Sequence, residues 1–237
     1  MPHHLRPSTA YAEDALLPGD PGRALVLAQQ LLTKPRMSNH ARGLWGYTGT
    51  TREGQPLSIQ STGIGGPSAA IVLHELAELG VKRAIRVGTC GALADELRHG
   101  DLMVAAETLA EDGASRALGA GETVHPDPEL TARLAAGTAE APARIVSTDL
   151  FYEGRPGEEG PPRARAETWR RRGAVAVEME AATLFIHGTQ LGVATACVLA
   201  VSDVFADGRR RRIGDEDLAA AAGRMGLLAT AALQAQP

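Results

Sequence analysis

The stretch Val81-Lys82-Arg83-Ala84-Ile85-Arg86-Val87-Gly88-Thr89-Cys90-Gly91 decides how this chain reads. Its first five residues have the pattern of a buried strand. The next six put an arginine, a hydroxyl and two glycines at the carboxyl end of that strand. Crevices outside the carboxyl ends of strands are where open α/β sheets take ligands. An arginine fork beside a hydroxyl and close backbone N–H groups suits an oxyanion such as phosphate. The same residues also fit a plain strand end with an exposed arginine and a glycine turn, and the hexapeptide alone does not choose.

Upstream, Ala15-Leu16-Leu17 is a short apolar strand that stops at Pro18-Gly19-Asp20-Pro21-Gly22, a dense turn signal. A helix follows to about Leu32, with Pro21 in its first turn, where the missing N–H costs nothing. Gly19, Arg23 and the free N–H groups of that turn form a second candidate anion site, or an ordinary strand–turn–helix junction. Residues 44–50 and 56–62 read as a hairpin, with Arg42 just before it. Gly63-Ile64-Gly65-Gly66-Pro67-Ser68 leads into a helix over 69–79. It resembles half of a dinucleotide fingerprint, but serine stands at the third glycine and no strand with a terminal acid follows.

Downstream, a strand is expected over 101–108, a loop over 109–125, a helix from His125-Pro126-Asp127-Pro128 to about 139 and a strand over 143–146. Residues 153–163 read as a mobile surface loop. A helix ends over 167–172, and a short strand over 174–177 runs into Glu178-Met179-Glu180 and the helix 181–191. The last strand, 193–201, ends in Ser202-Asp203, and a helix from about 215 to 233 closes the chain. This alternation predicts an α/β fold: a single domain, residues 1–237, with a central mixed β-sheet flanked by helices. Carboxylates at two strand exits are candidates for sugar binding and acid–base work, although Glu180 also fits a helix-dipole partner and Asp203 an N-cap.

Composition narrows the classes. The chain has 237 residues, 44% of them hydrophobic and 22% charged, enough for a sizeable core. With 3% aromatic residues, that core must be built from Ala, Val, Leu and Ile. A net charge of −4 argues against general nucleic-acid binding. Cys90 and Cys197 are far apart and read as reduced, buried thiols, not as a disulfide or metal pair. No apolar run is long enough to span a bilayer and the first residues carry no signal core, so a cytoplasmic protein is expected.

Taken together, the motifs resemble the nucleoside phosphorylases, and among them the hexameric bacterial purine nucleoside phosphorylases. They are Leu17-Pro18-Gly19-Asp20-Pro21-x-Arg23, Arg42-Gly43-x-x-Gly46-Tyr47-Thr48-Gly49, Gly63-x-Gly65-x-Pro67-Ser68, Arg86 to Gly91, Ser147-x-Asp149-x-Phe151-Tyr152, Val177-Glu178-Met179-Glu180-Ala181-Ala182 and Val201-Ser202-Asp203. The resemblance implies phosphorolysis of purine nucleosides, with inorganic phosphate as co-substrate and neither cofactor nor metal. Gly19, Arg23, Arg86 and Thr89 would bind phosphate, completed by Arg42 from a neighbouring subunit. His3, or the adjacent His4, would reach the ribose 5′-hydroxyl in the same way. Glu180 would hold the ribose 2′- and 3′-hydroxyls and Met179 would pack on the sugar. Phe151, Val177, the Cys90-Gly91 backbone and Ser202 would line the base pocket, with Glu178 at its edge. Asp203 would be the general acid. The implied assembly is a homo-oligomer, a hexamer built as a trimer of dimers.

One position departs from the family pattern. The family carries an arginine on the helix after Ser-Asp that assists proton transfer; direct counting lands on Glu216 here. The run Arg209-Arg210-Arg211-Arg212 lies slightly upstream and could substitute, or could simply face water. A uridine phosphorylase, a methylthioadenosine-cleaving relative and a non-catalytic nucleoside-binding protein are the alternatives. The segment after Phe151-Tyr152 lacks the glutamine of uridine enzymes, and Ser202-Asp203 favours purines. Nucleosidases lack the phosphate arginines that stand here at 23, 42 and 86.

Overall fold

The computed structural model describes residues 2–152, 162–206 and 209–235. Most of the loop expected over 153–163 therefore lies outside the described residues. Eleven strands among them join one mixed sheet with helices on its faces. The chain opens with β1 (Asp14–Leu17), α1 (Pro21–Leu31), β2 (Thr33–Asn39), β3 (Gly46–Thr50), β4 (Pro56–Gln60) and α2 (Gly66–Glu78). Then come β5 (Arg83–Ala92), β6 (Leu102–Ala110), α3 (Gly113–Ala117), β7 (Thr123–Val124), α4 (Pro128–Ala136) and β8 (Ala143–Ser147). The remainder is α5 (Arg163–Arg171), β9 (Ala176–Glu178), α6 (Ala181–Leu191), β10 (Ala194–Ala206), β11 (Arg209–Arg212) and α7 (Asp215–Gln234).

Several local expectations hold for the reasons given. Pro21 sits in the first turn of α1, and Asp20, read in the sequence only as part of a turn, caps that helix by accepting from the Arg23 N–H at 2.6 Å. β3 and β4 form the expected antiparallel hairpin. The loop expected over 109–125 instead contains α3 and β7. β2 also went unseen, because its sequence Thr33-Lys34-Pro35-Arg36-Met37-Ser38-Asn39 has no apolar alternation. It is an edge strand, where lysine and proline are tolerated because no further strand must pair.

The central correction concerns β5. The strand does not stop at Ile85; it runs from Arg83 through Ala92, so Arg86 to Gly91 lies inside it. β10 runs parallel along one edge, from Ala194 opposite Arg83 to Asp203 opposite Gly91. On the other edge, β1 pairs up to Leu17 opposite Arg86, and antiparallel β9 takes over at Val177 opposite Gly91. Between these partners, Val87 to Cys90 form a gap in the ladder. Pairings of β5 with β10, β10 with β6, β6 with β8, β8 with β9 and β9 with β5 close a ring beside that gap.

Aliphatic residues dominate the core, as the low aromatic content requires. One cluster packs α1, α4 and α7 on one face through Leu27, Leu31, Leu134, Met225 and Leu233. Another packs α2 on the opposite face through Val72, Leu73 and Leu76. A third, around Cys90, Cys197 and Phe185, fills the space beneath α6. No helix among the described residues is long and apolar enough to cross a membrane.

Candidate active site

The β5 gap collects the polar groups. Side chains at i and i+2 of a strand share a face, so Arg86 and Gly88 point the same way. A Cβ at Gly88 would lie 2.6 Å from the Arg86 Cζ, so the glycine is what lets the guanidinium fold back along the strand. Arg86 is 4% exposed and bridges two carboxylates: Nε donates to Glu178 Oε2 at 2.9 Å and Nη2 lies 2.5 Å from Glu180 Oε2. Its third nitrogen, Nη1, is buried with no hydrogen-bond partner among the described residues. Burial by itself would lower the Arg86 pKa, but Glu180 and Glu178 carry it above the ordinary value.

Glu178 is fully engaged. It accepts from Arg86, from the Ser147 hydroxyl and from the backbone N–H groups of Glu180 and Ala181 at 2.9 and 3.0 Å. Expected at the edge of the base pocket, it serves here to hold Arg86 and to cap α6. Glu180 Oε1 accepts from the Gly65 N–H at 2.5 Å. Gly65 has φ +86°, which glycine alone adopts freely, so the half-fingerprint loop is a cradle for a carboxylate. Burial raises the Glu180 pKa above the ordinary carboxylate range, and nearby Glu178 pushes the same way: two carboxylates share one buried guanidinium.

Gly19 and Gly63 lie side by side, the Gly63 N–H donating to Gly19 O at 3.0 Å. Arg23, half-buried at the start of α1, has its pKa lowered by burial and by the charges of Arg86 and Arg212. Arginine stays charged regardless, so Arg23 feels the like charges of Arg86 and Arg212. Thr89, on the same strand, is half-buried, as are Val177 at the end of β9 and Met179 after it. Gly91 packs against Val177, whose Cγ1 would be 3.4 Å from a Cβ there.

At the far end of β5, the register of β10 shifts between Val201 and Asp203. Such a bulge re-aims side chains, and here Ser202 and Asp203 are both buried and linked, Ser202 Oγ to Asp203 Oδ2 at 2.7 Å. Ser202 Oγ also lies 3.2 Å from the Cys90 carbonyl. The Cys90 thiol itself faces the core, 3.9 Å from Met103 Sδ, and burial raises its pKa. Its contribution to the site is its backbone.

The arginine run is a strand, β11, antiparallel to β10 with Arg212 opposite Asp203. Arg210, two residues along, reaches diagonally to Asp203: Nε donates to Oδ1 at 2.9 Å, with both side chains nearly buried. Its Cζ sits 4.0 Å from the centre of the Phe151 ring. Arg210 therefore does not belong to a solvated basic run, whereas Glu216 lies in the first turn of α7. Periodicity two in the arginine run was the signal available; the antiparallel pairing of β11 with β10 was not legible.

Two expected residues stand apart. His3 and Arg42 are exposed, and no side-chain hydrogen bond or ion pair among the described residues ties either to this constellation. Arg42 occupies a short 3₁₀ turn, Ala41–Gly43, at φ +59°.

The chain belongs to the phosphorylase superfamily, whose family model matches residues 13–234. Among its relatives is a DeoD-type purine nucleoside phosphorylase of Geobacillus kaustophilus, 36% identical over 200 residues that cover 81% of each chain. The corresponding protein of Clostridium beijerinckii is 35% identical over 214 residues, 87% of each. A solved uridine phosphorylase from Vibrio fischeri shares the fold with a TM-score of 0.78 at 24% identity, covering 94% of this chain and 90% of that one.

Proposed function

We propose that the chain cleaves the N-glycosidic bond of purine ribo- and deoxyribonucleosides with inorganic phosphate, giving free base and (deoxy)ribose 1-phosphate. The buried, unpartnered Nη1 of Arg86 carries this reading, because it turns a structural ion pair into a receptor that still lacks an anion. Phosphate on Nη1, with Arg23, Thr89 and the Gly19 backbone around it, would offset the like charge that Arg86 places on Arg23. Glu180 holds the ribose hydroxyls and Met179 covers the sugar. A phosphate oxygen attacks C1′ from the face opposite the base as the C1′–N9 bond breaks, and the bonding pair leaves with the purine.

Asp203 donates a proton to N7 of the departing base. Ser202 has one hydroxyl proton and faces two acceptors, the Cys90 carbonyl and Asp203 Oδ2. The carboxylate left behind is met by Arg210, which takes the role of the helix arginine of the family from a strand. Phe151 and Val177 line the base. Arg42 and His3 serve a neighbouring subunit, which requires at least a dimer; a hexamer built as a trimer of dimers, working in the cytoplasm, is the assembly we favour.

Turnover of inosine, guanosine and adenosine with and without phosphate tests this. Base release should require phosphate; equal rates without it would leave a nucleosidase. The uridine reading shares the phosphate end of the site, and faster turnover of uridine than of any purine nucleoside would establish it. Adding 5′-methylthioadenosine to the panel separates the remaining relative.

A further inference from the structure

Two buried side chains outside the reacting constellation hold the N-terminal arm and the Arg42 turn together. Glu75, on α2, is 5% exposed. Its carboxylate accepts from the backbone N–H groups of His3 at 2.8 Å, His4 at 2.9 Å and Leu5 at 2.6 Å, and lies 2.9 Å from His4 Nδ1. Burial would raise its pKa, but the Leu5 N–H, the His4 ring and backbone and the His3 N–H outweigh it and bring it down to about 2. The His4 ring is thereby committed within its own chain, whereas the His3 ring is left free and exposed. Leu5 is fully buried against α2, β1 and β5.

The next residue continues the unit. The Arg6 N–H donates to Asn39 Oδ1 at 2.9 Å. Asn39, 1% exposed, turns its Nδ2 onto the carbonyl oxygens of Leu44 at 2.5 Å and Ala41 at 3.4 Å, on either side of Arg42. Arg42 itself sits at φ +59°, a conformation that costs a non-glycine residue about 1 kcal/mol or more and persists only where the surroundings impose it. His3 and Arg42 thus project from one hydrogen-bonded unit, both exposed and both unconnected to their own chain's constellation.

We infer that Glu75 and Asn39 are positioning residues that fix His3 and Arg42 as one rigid donor edge for the site of a second copy of this chain. The inference rests on the phosphorylase reading above. One edge then spaces the donor to the ribose 5′ end from the donor to phosphate, so the arm aligns nucleophile and sugar together. Glu75 acts here through geometry and touches no reacting atom.

The test uses the full-length protein. Glu75→Gln keeps one acceptor but adds amide hydrogens where several donors already converge. Loss of one such positioned contact should lower kcat/KM by about tenfold, chiefly through the nucleoside KM. His3→Ala, a change at an exposed terminal residue that does not challenge folding, should give the same KM shift. Combining the two should add little, and additive losses would overturn the inference. Glu75→Gln is then co-expressed with Asp203→Asn under separate tags, and mixed assemblies are purified. Each mixed pair places an intact Asp203 beside an intact arm, so roughly one site in four of a randomly mixed population should recover native turnover. Mixed protein no more active than the mean of its parents would mean that Glu75 acts only within its own subunit. Absence of phosphate-dependent turnover in the unaltered protein would instead refute the phosphorylase reading itself, and the clamp with it.

Discussion

Gly88→Ala separates the phosphate receptor from the fold. The added methyl carbon would lie 2.6 Å from Arg86 Cζ, 2.7 Å from Nη2 and 3.0 Å from Nη1, well inside the ~3.5 Å of ordinary contact. The obstacle is the far end of a flexible side chain, so the guanidinium moves and the strand does not. Its displacement takes Nη2 off Glu180 Oε2 and Nη1 away from the anion position. A hydrogen bond between charged groups is worth about 1.5–3 kcal/mol. Losing one such bond to phosphate should therefore raise the phosphate Kd by about 10- to 150-fold. Phosphate titration by calorimetry and the phosphate KM in phosphorolysis both read this, while circular dichroism checks that the sheet is intact. Glu178 keeps its Ser147 and backbone donors in the variant, so the melting temperature should fall by only a few degrees. A folded Gly88→Ala protein whose phosphate affinity stays within about twofold of the unaltered protein would show that Arg86 is not the anchor.

Three further outcomes are expected. Asp203→Asn should lose far more rate on inosine than on a nucleoside whose base needs no proton to leave; equal losses would remove Asp203 as the acid. Arg210→Gln breaks the pair to Asp203 and the stacking on Phe151, and should lower kcat by about 10- to 100-fold with the phosphate KM unchanged; a shifted phosphate KM would place Arg210 at the wrong end of the site. The Glu75 clamp has a folded value of about 2, below the ordinary carboxylate range, so its contribution is complete above about pH 4.3 and drains away as pH falls through 2. Amide exchange at His4 and Leu5 should rise across that window, and flat protection there would contradict the carboxylate's role.

The strands with aliphatic runs and the helices with caps were legible because local chemistry fixes them. Pro21 marks the first turn of α1, and two strand-like runs either side of a short turn mark β3 and β4. β2 was not legible, because an edge strand needs only backbone pairing and its side chains from Thr33 to Met37 face water. β5 was read too short for a different reason. Gly88 and Gly91 look like turn glycines, but both lie within the strand, and Gly88 serves the close approach of the Arg86 guanidinium. The groups of the site were all visible as residue types, yet their partners depend on distant pairing. Nothing local says that Glu178 is spent on Arg86, that Gly65 receives Glu180, or that a bulge at Val201/Asp203 aims Ser202 and Asp203 together. Arg210 needed the β10–β11 hairpin before it could be told from its neighbours.

β11 is the last strand of the sheet, paired only to β10. Arg86, Glu178 and Glu180, in contrast, are held on β5, β9 and the head of α6, buried within the fold. Arg210 ties that edge strand to Asp203 by a side-chain pair, so change elsewhere along β11 leaves both the interior ladder and the pair intact. The edge of the sheet is thereby tolerant everywhere but at one residue.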